Sequence, residues 1–113
     1  MKLLFEDYVY VSGTSPVFIK HFKEYAEYVI SKYNVHKDSL IVEIGSNDGT
    51  LLKFFRDSGM QVIGIDPANK IAQTATEEGV ETLPMFFNKE LAKQICREKG
   101  PASVIPANNV FAH

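Results

Sequence analysis

The sequence predicts an α/β fold, a Rossmann-like open parallel sheet with helices on its faces. Three observations predict it. From residue 40 onward the chain repeats one unit: a short apolar run, a turn, an amphipathic stretch and a closing glycine. The apolar runs are rich in β-branched residues, as suits strands buried on both faces. A helical pattern separates each run from the next, which makes the pairing parallel and the connections crossovers.

The expected strands are Leu40 to Ile44, Val62 to Ile65, Val80 to Met85 and Ser103 to Ala107. Between them, Leu51, Leu52, Phe54 and Phe55 precede Gly59, while Ile71, Ala72 and Ala75 precede Gly79. Leu91, Ala92, Ile95 and Cys96 precede Gly100 and Pro101. Each set has helical spacing followed by a residue suited to a C-terminal cap. Upstream, Ser15 and Pro16 read as an N-cap and first helical position. Phe18, Phe22, Tyr25, Val29 and Tyr33 then follow at spacings of 4, 3, 4 and 4, the stripe of one long amphipathic helix. Residues 1–14 read as an extended arm, and 15–113 as the domain proper.

Composition narrows the function. With 12 basic and 14 acidic side chains among 113 residues, the net charge is −2, and no Lys/Arg cluster offers a nucleic acid or an anionic membrane a footprint. A chain of this length buries a little under ~70% of its unfolded surface, enough for a core without metal or disulfide staples. Cys96 is the single cysteine, so no internal disulfide or cysteine zinc cluster is available, and a reducing cytoplasmic setting is expected. His21 and His36 read as surface histidines, and no metal is assigned. Leu3, Leu4 and Phe5 run straight into Glu6 and Asp7, which leaves no signal-peptide core, and no apolar run approaches membrane-spanning length.

The chemistry concentrates in Val42-Glu43-Ile44-Gly45-Ser46-Asn47-Asp48-Gly49-Thr50, where the first strand gives way to a helix. Open α/β sheets bind ligands there, beyond the carboxyl ends of their strands. Gly45 permits a sharp turn and Gly49 a close approach. The dinucleotide fingerprint needs glycines at relative positions 1, 3 and 6, which here hold Gly45, Asn47 and Thr50, and no phosphate-loop lysine follows. Asp48 would also repel a pyrophosphate. Asp66 ends the second strand, 21 residues after Gly45, the spacing at which an acid reaches the ribose hydroxyls of a nucleoside. Glu43, Asp48 and Asp66 together favour a positively charged ligand. S-adenosylmethionine, with its sulfonium and ammonium groups, fits.

The segments VEIGSNDGTLLKFF, IGIDP and ANNVFAH, with YVYVSGTSP upstream, resemble the class I S-adenosylmethionine-dependent methyltransferases, and among them the C-methyltransferases of nucleotide-linked deoxysugars. The resemblance runs from about Tyr8 to His113. It implies a strand order of 3-2-1-4, numbering the four runs along the chain. It also implies that Glu43, Gly45, Asn47, Asp48 and Gly49 form the cofactor loop, Asp66 binds the ribose, and Phe86 and Phe87 flank the adenine. Asn108 and Asn109 would lie near the methionine end, and Tyr8, Tyr10, Ser12 and Ser15 would border the sugar site. In that chemistry a base removes a proton beside a sugar ketone and the enolate takes the methyl group.

The chain departs from the family's pattern in lacking the four-cysteine zinc module and the Tyr and His/Glu base motif beyond the fourth strand. The expectation is therefore the front half of a methyltransferase core, inactive alone. Its fourth strand would interrupt its own ladder at Pro106 and expose an edge open to self-association. Plainer readings stand beside these. Asp66 and Asp48 are also placed to cap helices. Phe86 and Phe87 are placed as core residues, of which strand alternation would aim only one at a ligand. Cys96 reads as a small buried hydrophobe. A non-catalytic nucleotide-binding or interaction module with the same fold is the alternative function, and a dehydrogenase half-domain is the third.

Overall fold

The structure, a computed structural model, describes residues 2–6 and 16–108. Its elements in chain order are β1 (Lys2–Glu6), α1 (Pro16–Lys32), β2 (Leu40–Ile44), α2 (Thr50–Asp57), β3 (Gln61–Ile65), α3 (Asn69–Glu77), β4 (Thr82–Leu83), α4 (Lys89–Lys99) and β5 (Val104–Asn108). All pairings are parallel, in the order β1-β5-β2-β3-β4. Read from β4, the four strands expected from the sequence stand in the order 3-2-1-4, a Rossmann-like arrangement.

Alternation along the strands builds two cores. Ile41 and Val104 face Phe22, Ala26 and Val29 of α1, Leu51, Leu52 and Phe55 of α2, and Ala75 of α3. Leu40, Val42, Ile63, Ile65 and Ile105 face the other way, onto Leu91 and Ile95 of α4. Three helices therefore cover one face and one covers the other. Parallel strands need this double cover because both of their faces are apolar. The helix endings follow the glycines: Met60 N–H donates to Phe55 O and Val80 N–H to Ala75 O, each just past a positive-φ glycine. Asn88 caps α4, its side chain accepting from Leu91 N–H at 2.8 Å.

Several expectations are corrected. Lys2–Glu6, read as part of an extended arm, forms a fifth strand whose register runs from Lys2 opposite Val104 to Glu6 opposite Asn108. The edge of β5 that was expected to be bare is thus covered, which removes the basis for self-association there. Pro106 is fully buried in an interior strand instead of facing an open side. The β2 pairing registers on Val104 and Ala107 at either side of it, and a proline removes only one donor from the ladder. The third strand ends at Leu83, not Met85, because Pro84 has no donor to continue it and Met85 N–H turns back to Leu83 O. Cys96 is exposed. It lies one residue past buried Ile95, on the edge of the α4 stripe.

Phe55 is fully buried among α1, α2 and β2 side chains. Phe55→Ala is expected to lower the free energy of unfolding by about 3–5 kcal/mol, the usual cost of a truncated core aromatic. Urea denaturation measures this, and a loss below about 1 kcal/mol would mean the site collapses freely and is not a packed core.

Candidate functional site

The loop between β2 and α2 crosses the carboxyl ends of β2 and β3. It needs three left-handed residues in quick succession: Gly45 at φ 72°, Asn47 at 56° and Gly49 at 80°. Asparagine is among the few side chains that accept this region. At Gly49 a Cβ would also stand 3.1 Å from Val80, so a side chain there would strain the backbone and press on that valine.

The loop's amides are turned inward. Gly45 N–H donates to Ile65 O at 2.8 Å and Ser46 N–H to the same carbonyl at 3.3 Å, while Asn47 N–H donates to Asp66 Oδ2 at 2.9 Å. Three consecutive donors are thus tied to the end of β3. Gly49 N–H donates to Ser46 O at 3.0 Å, and Thr50 donates through both its N–H (3.1 Å) and its hydroxyl (2.6 Å) to Asp48 Oδ1. A pyrophosphate is normally held by just such amides at the first helix. Here the amides of Gly45, Ser46, Asn47, Gly49 and Thr50 are engaged internally, and the charged side chains of the loop are carboxylates.

Asp66 and Asp48 each take a structural part. Asp66 Oδ1 accepts from Ala68 N–H at 2.9 Å, a turn leading into α3, while its other oxygen holds the loop. It does not act as the N-cap: that residue is Ala68, without a side-chain cap bond. Asp48 steadies the first residue of α2 from one position before the N-cap, Gly49. Neither role exhausts a carboxylate, which carries about four acceptor sites. Asp66 and Asp48 are half-buried.

Glu43 is 1% exposed. Burial, followed by repulsion from Asp48 and then Asp66, raises its pKa well above the ordinary 4.5. Three acids therefore share one field at this edge, and a cation would relieve it.

The remaining predicted residues divide. Phe86 and Phe87 lie beyond β4, in the stretch leading to α4, and are 63% and 38% exposed. Because they are outside the strand, alternation no longer limits them to one ligand-facing ring, and the core reading does not hold. Met85 and Ile71, read from the sequence only as part of a strand and of a helix stripe, are also exposed apolar side chains. Asn108 ends β5, and only its backbone is described. Tyr8, Tyr10, Ser12, Ser15 and Asn109 lie outside the described residues.

An open cavity of about 310 Å³, lined by Leu40, Arg56, Gln61 and Lys99 among others, lies at the start of β2 and β3, the opposite end from the loop. It contains none of the predicted site residues. Among the described residues no group of His, Cys, Asp or Glu is arranged to hold a metal ion, and no helix is long and apolar enough to cross a membrane.

Fold and loop together define a Rossmann-like domain with an acidic site at the carboxyl edge of its sheet. The chain is a homologue of C-methyltransferase NovU from Streptomyces niveus, 34% identical over 111 residues, which is 98% of this chain and 26% of the relative. It therefore spans about a quarter of that enzyme's length. No protein-family model matches the chain. Among solved structures it is similar to the plantazolicin methyltransferase BpumL, in complex with SAH and, separately, with a monoazolic desmethylPZN analog and SAH. Each comparison has a TM-score of 0.48 at 15% identity and covers 64% of this chain and 30% of that one.

Glu43 gives the site a pH signature. Its folded-state pKa lies above its unfolded one, so ionising it opposes folding. That cost is absent below the unfolded value and grows as pH rises toward the folded value. Urea unfolding at about pH 5 and about pH 8 is expected to show the parent protein losing stability at the higher pH and Glu43→Gln losing less. Parallel profiles for the two would show that Glu43 ionises without penalty.

Proposed function

We propose that this chain is the S-adenosylmethionine-holding part of a C-methyltransferase acting on a nucleotide-linked ketosugar, working in the cytoplasm. The observation that carries the reading is the inverted polarity of the loop: the amides of Gly45, Ser46 and Asn47 are bound to Ile65 and Asp66, those of Gly49 and Thr50 to Ser46 and Asp48, and the carboxylates of Asp48 and Asp66 remain at that edge, with the Glu43 carboxyl buried beneath them. That field suits a sulfonium and an ammonium and repels phosphates. Homology to a C-methyltransferase over nearly the whole chain supports the same conclusion. The cofactor-binding domain is residues 15–113, with Lys2–Glu6 completing its sheet.

The residues present fit the cofactor. Asp66 sits at the end of β3 with acceptor capacity left on both oxygens, as a ribose diol requires. Phe86 and Phe87 offer exposed ring faces beyond the neighbouring strand, where adenine would stack. Glu43, Gly45, Asn47, Asp48 and Gly49, with Asn108 at the end of β5, would hold the methionine end. Tyr8, Tyr10, Ser12 and Ser15 would border the sugar. When bound, S-adenosylmethionine supplies an electrophilic methyl group. The protein's own part is to orient that group, neutralise its charge and hold it against the acceptor carbon.

Calorimetry tests this reading. S-adenosylmethionine and S-adenosylhomocysteine are expected to bind and NAD is not. Asp66→Ala is expected to weaken binding by about 1.5–3 kcal/mol, the range for hydrogen bonds to a charged group. Binding of NAD in preference to the other two would replace the proposal with a dinucleotide site. An unchanged affinity in the Asp66 variant would confine that residue to the loop-fastening role.

A further inference from the structure

The buried polar residues of the described chain are Glu43, Ser46 and Thr82, and they converge on one glycine. Gly64 of β3 pairs with Glu43 of β2 on one side and with Thr82 of β4 on the other, so the three share a face of the sheet. Ser46 comes down onto that row from the loop above. A Cβ placed on Gly64 would collide with Ser46 Oγ, stand 2.9 Å from Ser46 Cβ and 3.1 Å from Thr82 Oγ1. The serine thus occupies the space that a side chain at residue 64 would fill.

Ser46 Oγ is buried and has no hydrogen-bond partner among the described residues. A hydroxyl in that state costs stability, so what the side chain contributes is volume and not a bond. Ser46 is also the middle of the three consecutive residues whose amides fasten the loop to β3. Pushing its side chain upward would strain the bond from Ser46 N–H to Ile65 O and the neighbouring bond from Asn47 N–H to Asp66.

We propose that Gly64 and Ser46 are a positioning pair for the cofactor loop, the glycine providing the socket and the serine the peg that sets the loop's height over the sheet. Neither residue is assigned a contact with the ligand. The proposal rests on the functional reading above, since it gives the loop's height a purpose.

The test is a rescue series on the intact chain: Gly64→Ala alone, then combined with Ser46→Ala and with Ser46→Gly. Gly64→Ala is expected to weaken S-adenosylmethionine binding by at least about tenfold, as overpacking beneath a site does. Ser46→Ala should restore part of this, since it removes only the hydroxyl. Ser46→Gly should restore binding to within about threefold of the Ser46→Gly variant alone, a coupling that independent sites do not show.

Backbone amide NMR without ligand gives a second readout. The Gly45 to Thr50 signals should move in Gly64→Ala and return toward their parent positions in Gly64→Ala/Ser46→Gly. If Gly64→Ala does not fold, a folded double variant with the affinity of Ser46→Gly supports the pair, and an unfolded one overturns it. Parent-like affinity in Gly64→Ala, or losses that simply add in the double variants, would also overturn it. If the parent protein itself does not bind S-adenosylmethionine, the functional reading fails, and the ligand-free amide shifts still decide whether the pair sets the loop.

Discussion

The structure depends on the fastening of one loop to one strand end. Three successive amides, at Gly45, Ser46 and Asn47, donate to Ile65 O and Asp66 Oδ2. This ties β2's exit to β3's exit and fixes where α2 begins. Any two adjacent parallel strands supply the ladder, but this arrangement also decides what the site presents. The donors of Gly45, Ser46 and Asn47 are used to hold the loop, and the half-buried carboxylates of Asp48 and Asp66 lie at the same edge. On the proposed reading, the sign of the ligand follows from where the loop's hydrogen bonds go.

That arrangement costs stability. Glu43 is buried beside two other acids, and Ser46 carries into the interior a hydroxyl with no hydrogen-bond partner among the described residues. Each is unfavourable for folding by ordinary measures. Together they lie beneath the same loop, at the carboxyl edge where an open α/β sheet binds its ligands. The rest of the molecule is conventional, with apolar strands covered on both faces and helices closed by glycines. Local penalties gathered at one edge of an otherwise consistent fold are what a functional site leaves behind.

Much of this was legible in the sequence. Leu40 to Ile44 and the Val62 to Ile65 run announce themselves by β-branched content, and the spacing from Gly45 to Asp66 already marks the two strand ends that the loop joins. The fifth strand was not legible, because Lys2 to Glu6 contains only a three-residue apolar run with no alternation and nothing local names its partner. The third strand is shorter than its apolar residues Val80 and Met85 suggest, because Pro84 ends the ladder after Leu83. The position of Asp66 at a strand end suggests a ligand or a cap, and its bond to Asn47 N–H, 19 residues away, is neither. The seat of Ser46 on Gly64 is a fact of steric contact between residues 18 positions apart, for which a sequence pattern carries no signal.

The most direct test of the central claim is where a cofactor touches the protein. In an amide NMR titration with S-adenosylmethionine, the account predicts that the largest shifts fall on Gly45 to Thr50, Asp66 and the Phe86–Phe87 stretch. The residues around the cavity at the start of β2 and β3, such as Gln61 and Lys99, should stay still. Shifts centred on that cavity, with the loop unmoved at saturating ligand, would contradict it.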